Sequence, residues 1–214
     1  MAIAHHPAPE SLMSCSAGSM PEAFAAVMAC HIAMCPACRR ELAMLQQVGL
    51  TLVETIAPVA VDNAAPIMAA RSLEAELEEP RIETENGNVP APLRGAVGRS
   101  LDRVAWSPVA PGVSQHRIAL SHDGDTSLRL VKVAPGHVLP EHGHGGQELT
   151  LVLRGAFADG GKHYAVGDVA DICEAVEHAP SADEKEGCIC LVATIGRLKF
   201  KSTLARLVQP LTGF

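Results

Sequence analysis

Aromatic side chains are scarce in this sequence. Only 3% of the 214 residues are Phe, Trp or Tyr, with a single Trp and a single Tyr among them. Hydrophobic residues nevertheless make up 48% of the chain, which is enough apolar material for a packed interior. We therefore expect a globular protein whose core is built mainly from aliphatic side chains.

An excess of positive charge is also missing. The 17 Lys and Arg residues are outnumbered by 24 Asp and Glu residues, and the formal net charge is -7. Surfaces that bind nucleic acid are normally basic, because they must face a row of phosphates. The composition therefore disfavours direct binding to nucleic acid and favours a basic protein as the partner.

Long apolar runs and a secretory leader are missing as well. The most apolar run, residues 23–38, is shorter than a bilayer span and is interrupted by His31. No charged segment followed by an apolar stretch opens the sequence. The seven cysteines are an odd number, unlike the paired set of a secreted disulfide framework. These features predict a cytoplasmic protein that does not contact a membrane.

One short segment concentrates metal-binding side chains in the order His31, Cys35 and Cys38. Pro36 disfavours helical geometry at Cys35 and suits the first turn of a new helix. We expect Cys35 to end one helix and Cys38 to lie in the first turn of the next, where the helix dipole favours a thiolate. The spacing predicts a zinc site. The alternative is a buried histidine beside a redox-type cysteine pair.

A structural zinc ion is almost always bound by four ligands, so one donor is still missing. The remaining candidates in this half of the chain are His5, His6, Cys15 and Cys30. Residues 1–10 predict an extended arm that could bring His6 over the helices, and we expect the metal to order it.

Helical periodicity follows on both sides of this segment and then stops. Apolar residues recur at helical spacing around Phe24 and Met28, again from Leu42 to Leu52, and in a third segment over 67–79 with an acidic opposite face. Residues 80–95 are rich in Pro, Glu, Asn and Gly and predict a linker. We therefore divide the chain into a helical domain (1–79), a linker (80–95) and a second domain (96–214).

The second domain consists of short apolar runs separated by turn residues. Residues 128–133, 149–153 and 188–193 have the length and composition of strands, and Asp159-Gly160-Gly161 predicts a hairpin turn. So many short strands favour a closed antiparallel barrel or sandwich. The predicted fold class is α+β, with a small zinc-binding helical bundle followed by an antiparallel β domain.

A second group of metal-binding side chains precedes the predicted strand over 149–153. His142, His144 and Glu148 share one face of an extended segment, and His178 is the candidate for a further ligand. These donors suit a divalent metal such as zinc, manganese or iron. The alternative is a glycine-rich polar loop whose histidines are exposed by chance.

The spacing Gly136-x5-His142-x-His144-x3-Glu148-x6-Gly155 resembles the first motif of the cupin family. The second cupin motif would begin at Gly167 and place His178 at its histidine position, although Cys173 stands where proline is usual and Ala175 where glycine is usual. The resemblance implies a jelly-roll barrel in which His142, His144, Glu148 and His178 bind a divalent metal, with zinc favoured.

The sequence is similar to the ChrR-type zinc anti-sigma factors in the order of its features. These are Met20-Pro21-Glu22-Ala23, then the segment with His31, Cys35 and Cys38, and then a cupin. This resemblance implies a non-enzymatic regulator whose helical domain binds an extracytoplasmic-function (ECF) sigma factor. It implies that the cupin responds to an oxidant such as singlet oxygen, and that His6 is the fourth zinc ligand.

Two questions stay open at the level of the sequence. Cys188 and Cys190 resemble a cysteine pair of that family and are redox-sensing candidates, but they could equally be two small core residues. A metal-dependent cupin enzyme of the dioxygenase type, carrying a regulatory zinc domain, is the alternative function. For the anti-sigma function, zinc should supply much of the folding energy of the helical domain, so we expect residues from about 10 to 79 to bind and inhibit the sigma factor without the cupin.

Overall fold

The computed structural model describes residues 3–57, 89–121, 125–172, 177–196 and 198–200. The predicted third helical segment over 67–79 lies outside the described residues, as do 80–88 of the predicted linker and Cys173 and Ala175 of the second cupin motif. The division into domains at 79 and 95 therefore stays a prediction.

Helices come first in the chain, and strands follow. The helices are α1 (Pro9–Ser16), α2 (Glu22–Met34), α3 (Pro36–Glu54) and the short α4 (Arg94–Val97), with single 3-10 turns at Ala91–Leu93 and Leu101–Arg103. The strands are β1 (Ser107–Ala110), β2 (Val113–Ile118), β3 (Thr126–Val133), β4 (His142–His144), β5 (Glu148–Asp159), β6 (Lys162–Ala165), β7 (Val169–Ile172), β8 (Ser181–Ala182), β9 (Cys188–Ile195) and β10 (Leu198–Phe200).

Antiparallel pairing joins the strands in the order β1-β2-β3-β9-β5-β6, while β7 and β8 also pair with β5, and β4 pairs with β10. The three strands predicted from the sequence lie in β3, β5 and β9, at the centre of this sheet. The Asp159-Gly160-Gly161 turn joins β5 to β6, with positive φ at both glycines. The predicted α+β fold class, with N-terminal helices followed by an antiparallel β domain, is confirmed. We refer to the β domain as the barrel.

The central strands are buried on both faces. Leu130, Leu191 and Leu151 are aligned across β3, β9 and β5, and their side chains belong to the same core as those of α2. On the opposite face Cys190 and Val152 are paired and contribute to a separate core inside the barrel. Because side chains alternate along a strand, these three strands form the wall between the two cores.

The helical half and the barrel therefore share one hydrophobic core. Phe24, Val27 and Met28 of α2 are fully buried in the same cluster as the outer leucines of the barrel wall. The end of the predicted linker joins this cluster too, since Val89 and Leu93 are buried in it. Within the described residues the two halves are packed against each other rather than joined only by a tether, and inhibition by the helical domain without the cupin stays a prediction.

Candidate metal centre

Four side chains of the N-terminal half converge on one point. His6, His31, Cys35 and Cys38 each offer one ligand atom, and these atoms all lie within 4.8 Å of one another. His6 Nδ1 lies 3.5 Å from Cys35 Sγ and 3.3 Å from Cys38 Sγ. Nitrogen and sulfur ligands on one tetrahedral zinc ion are about 3.5 Å apart, so this His2Cys2 set fits zinc.

The corner between α2 and α3 brings the two thiols together. Cys35 ends α2 in an extended conformation (φ -109, ψ 104), and Pro36 then begins α3. The N–H of Cys38 donates to Cys35 Sγ at 3.5 Å, so the first thiol also caps the second helix. This local geometry follows the sequence prediction.

Arg39 supports the corner in a way that the sequence analysis missed. Its guanidinium donates to the carbonyls of Ile32 and Ala33, at 3.2 and 3.0 Å, and so binds the last turn of α2. A basic residue just beyond a helix C-terminus is the signal that could have indicated this contact. Through Arg39 the first turn of α3 is held against the end of α2.

His31 has the protonation state and the orientation that a metal ligand requires. Its ring is fully buried, and Nδ1 donates to the carbonyl of Gly167 at 2.9 Å. The other ring nitrogen, Nε2, is buried and has no hydrogen-bond partner among the described residues. Burial lowers the pKa of His31 to about 4, so the imidazole is neutral at pH 7. A buried nitrogen acceptor without a partner is what a bound metal would explain.

The thiol of Cys38 behaves differently from the sequence expectation. Burial, together with the neighbouring Cys35, raises the pKa of Cys38 to about 12. Desolvation therefore opposes the thiolate that the dipole of α3 was expected to favour at Cys38. The positive charge of a metal ion is what would favour the deprotonated sulfur here.

The structure brings His6, rather than the other three candidate donors, to this group. The ring of His5 packs on Tyr164 of the barrel, with 4.6 Å between ring centroids. Cys15 and Cys30 lie outside the four-residue group, and burial raises the pKa of Cys30 to about 12. Cys30 is thus a small apolar core residue of α2.

The N-terminal arm is held by the barrel as well as by the donor group. The backbone N–H groups of Ala4 and His5 donate to Asp168 Oδ1 at 2.7 and 3.0 Å, and the N–H of Val169 donates to the carbonyl of His5 at 3.0 Å. We expected the metal to order the arm, but these hydrogen bonds to the barrel hold the arm as well. The sequence analysis also missed Asp168, because residues 4 and 168 are too far apart for local patterns to relate them.

Inside the barrel, two predicted metal ligands face each other. His142 and His178 exchange backbone hydrogen bonds of 3.0 Å, and their rings lie 4.5 Å apart between centroids. His142 Nδ1 donates to the carbonyl of Pro140 and His178 Nδ1 bonds to Asp159 Oδ2, both at 2.7 Å. Such contacts fix ring orientation, so Nε2 is the atom that each ring would offer to a metal.

Glu148 lies in the same part of the barrel. It is buried and accepts a hydrogen bond of 2.9 Å from Thr150. Burial raises the pKa of Glu148, although His178 and His142 act in the opposite direction. The side chain of His144 lies outside the described residues. The barrel metal therefore stays a prediction.

Comparisons with known proteins identify the family. Residues 95–196 match the family model described as the ChrR cupin-like domain. The sequence is 38% identical to the anti-sigma-E factor ChrR of Cereibacter sphaeroides over 211 residues, which are 98% of each protein. The chain belongs to the ChrR family of anti-sigma factors. It is therefore grouped with regulators rather than with enzymes, as the sequence analysis predicted.

A solved structure resembles this ChrR-type chain over most of its length. It is that of Rhodobacter sphaeroides SigE in complex with the anti-sigma factor ChrR. The match has a TM-score of 0.75 and 37% sequence identity, and it covers 90% of this chain and 99% of the other. The arrangement of N-terminal helices and barrel is thus common to both proteins. Each helix that the structure describes is too short or too polar to span a bilayer.

The cysteine pair of this ChrR-type chain lies on the inner face of the barrel wall. Cys188 and Cys190 are both buried and hydrogen-bond to each other. That bond lowers the pKa of Cys188, while the same bond and burial raise the pKa of Cys190. Their burial agrees with a packing role, and redox sensing stays a prediction.

The second half of α3 exposes large apolar side chains. Met44, Val48 and Leu52 follow one another at intervals of four residues and are 64%, 60% and 64% exposed. Residues four apart lie on the same side of a helix, so the three side chains form one stripe. We call these three residues the α3 stripe. The sequence predicted helical periodicity in this segment. The apolar residues of the α3 stripe are exposed, whereas those of α2 are buried.

Proposed function

We propose that this protein is a cytoplasmic anti-sigma factor that binds an ECF sigma factor and keeps it from RNA polymerase. The observation that carries the proposal is the exposed α3 stripe next to a His2Cys2 corner, in a chain of the ChrR family. The proposed helical unit spans 1–79, the linker 80–95 and the barrel 96–214.

The α3 stripe supports a protein partner. An exposed apolar face on a helix is unfavourable in water, and it is a common means of binding a groove on another protein. Burial of three such side chains would contribute roughly 1.5–3 kcal/mol each before the costs of association are subtracted. The stripe thus has the chemistry to anchor a partner.

The charge of the chain supports the same class of partner. A sigma factor must present basic surface to promoter DNA, because the phosphate backbone dominates the binding of nucleic acid. The chain has a formal net charge of -7, so it would be attracted to that surface and would compete with DNA for it. Direct binding of this chain to DNA is disfavoured for the same reason.

The N-terminal zinc has a structural role in this proposal. His6, His31, Cys35 and Cys38 would bind it, and zinc supplies positive charge that stabilises the two thiolates. The ligands come from the arm, from α2 and from the start of α3, so the site fixes the direction in which α3 leaves the corner. Structural zinc binding contributes about 10–16 kcal/mol in small zinc-finger peptides, enough to decide whether such a corner is ordered.

The barrel is the proposed sensor. His142, His144, Glu148 and His178 would bind a second divalent metal, with zinc favoured, and the inducing signal would be an oxidant such as singlet oxygen. Cys188 and Cys190 are candidates for the oxidised groups. The barrel wall packs on α2, so a structural change inside the barrel can alter the position of α2. Such a change would release the sigma factor if it raised the free energy of the sigma-bound arrangement more than that of the free one.

Binding of the purified chain to its cognate ECF sigma factor tests the proposal. We expect a stoichiometric complex in size-exclusion chromatography, and at least tenfold weaker binding for the double variant Val48→Asp with Leu52→Asp. Val138→Asp is the matched control, because Val138 is an exposed apolar residue of the barrel (57%). No complex with the wild-type chain, or equal loss with the control, would contradict the proposal.

The sensing half of the proposal has its own experiment. In cells illuminated in the presence of a photosensitiser, His142→Ala should preserve inhibition of sigma-dependent transcription in the dark. The same variant should abolish the response to light. A normal response from this variant would place the sensor outside the predicted barrel site.

A further inference from the structure

Two zinc ligands of the N-terminal half are oriented by one turn of the barrel. This turn joins β6 to β7 and consists of Val166, Gly167 and Asp168. We call it the β6–β7 turn. The carbonyl of Gly167 accepts the Nδ1–H of His31 at 2.9 Å. Asp168 accepts the N–H groups of Ala4 and His5, immediately before His6.

The Asp168 carboxylate accepts hydrogen bonds both from the arm and from the β6–β7 turn. Its Oδ1 binds the arm, at 2.7 Å from Ala4 N and 3.0 Å from His5 N, while its Oδ2 accepts the N–H of Ala165 within the turn at 2.9 Å. Burial alone would raise the pKa of this carboxyl, but the three N–H groups outweigh it and the pKa is lowered. Asp168 thus fixes the arm and the turn relative to each other.

Gly167 allows the arm to approach this closely. Its φ of +92 is accessible mainly to glycine, and a Cβ at this position would lie 2.8 Å from the side chain of Ile3. The arm therefore lies directly over a residue whose carbonyl orients His31. One turn contacts both the arm that carries His6 and the helix that carries His31.

The β6–β7 turn is also hydrogen-bonded to the barrel wall. The N–H of Gly167 donates to the carbonyl of Val152 at 2.9 Å, and the N–H of Val152 donates to the carbonyl of Asp168 at 3.1 Å. Val152 is fully buried on the inner face of β5, paired with Cys190 and four residues from Glu148. A displacement of β5 inside the barrel would therefore move the β6–β7 turn.

We propose that the β6–β7 turn is the outer shell of the N-terminal zinc site, with Asp168 as its positioning residue. The zinc affinity of the helical corner then depends on docking of the arm to the barrel. By thermodynamic linkage, zinc binding at the corner favours docking of the arm by the same free energy by which docking favours zinc binding. This inference rests on the proposed zinc site and adds that the barrel controls its affinity.

Cobalt titration of the full-length chain tests the inference. Thiolate-to-cobalt absorption reports the site of Cys35 and Cys38 selectively, because the predicted barrel ligands are histidine and glutamate. Loss of an outer-shell partner typically weakens metal binding by about 10–100-fold, so Asp168→Ala should raise the half-saturating cobalt concentration by that factor. Asp168→Asn keeps an acceptor for the arm but replaces the oxygen that accepts the N–H of Ala165, so its half-saturating cobalt concentration should lie between those of the wild type and Asp168→Ala.

Asp183→Ala is the matched control. Asp183 also accepts two backbone N–H groups within a barrel loop, from Lys185 and Glu186, but it does not contact the arm. We expect its cobalt titration to stay within about twofold of the wild type. An unchanged titration for Asp168→Ala, or an equal loss for the control, would overturn the inference. Absence of a thiolate band in the wild type would instead contradict the proposed ligand set.

Amide hydrogen exchange on the wild-type chain gives a second test that needs no variant. Zinc should slow exchange at Val169, whose N–H donates to the carbonyl of His5 in the docked arm. The N–H groups of Lys185 and Glu186 should exchange at the same rate with and without zinc. If zinc leaves exchange at Val169 unchanged, the corner and the barrel are not linked, whatever the stability of the Asp168 variants.

Discussion

Replacing Leu191 with alanine should destabilise the helices and the barrel together. Leu191 is fully buried in β9, and its side chain lies in the core shared with α2. Truncation of a buried leucine to alanine costs about 2–5 kcal/mol, because the site cannot fully collapse around the lost atoms. For a chain of this size a loss of about 3 kcal/mol lowers the melting temperature by roughly 6–12 °C.

Two probes can follow this unfolding separately. Far-ultraviolet circular dichroism is dominated by the N-terminal helices, while the single Trp106 precedes β1 and reports on the barrel half by its fluorescence. A shared core requires both transitions to move together by a similar amount. Val138→Ala, at an exposed position, should shift neither by more than about 2 °C. A variant in which only the Trp106 transition moves would refute the shared core.

Three further predictions concern metal binding and backbone geometry. Cys38→Ser should lose the N-terminal zinc and sigma binding, whereas Cys15→Ser should keep both, as measured by metal analysis and co-purification. His178→Ala should lower the metal content of the full-length chain by one equivalent while the thiolate-to-cobalt band remains. Gly155→Ala should abolish soluble folding, because the added Cβ would collide with the backbone of the loop before β9. Gly160→Ala, also at positive φ but in open space, should cost only about 1–2 kcal/mol in a denaturant titration.

Local sequence patterns were sufficient to predict much of this fold. Pro36 predicted the corner between α2 and α3, because proline restricts the residue before it and suits a first helical turn. The apolar runs in β3, β5 and β9 predicted the strands that form the barrel wall. In each case the signal lies within a few residues of the structure it specifies.

Contacts between distant parts of the chain could not be predicted in the same way. The bond from Ala4 to Asp168 joins residues 164 positions apart, and nothing in either segment alone indicates the other. The shared core was missed for a related reason, since alternating apolar residues indicate a buried face but not which element covers it. Similarly, periodicity in α3 did not reveal that Val48 and Leu52 are exposed.

Inhibition of transcription in vitro tests the central claim most directly. RNA polymerase and the cognate ECF sigma factor would transcribe a dependent promoter in the presence of increasing amounts of the purified, zinc-loaded chain. We predict that transcription falls to background near one equivalent of the wild-type chain and persists with the variant that lacks Cys35 and Cys38. Undiminished transcription at a large excess of zinc-loaded wild-type chain would contradict the assignment of this protein as an anti-sigma factor.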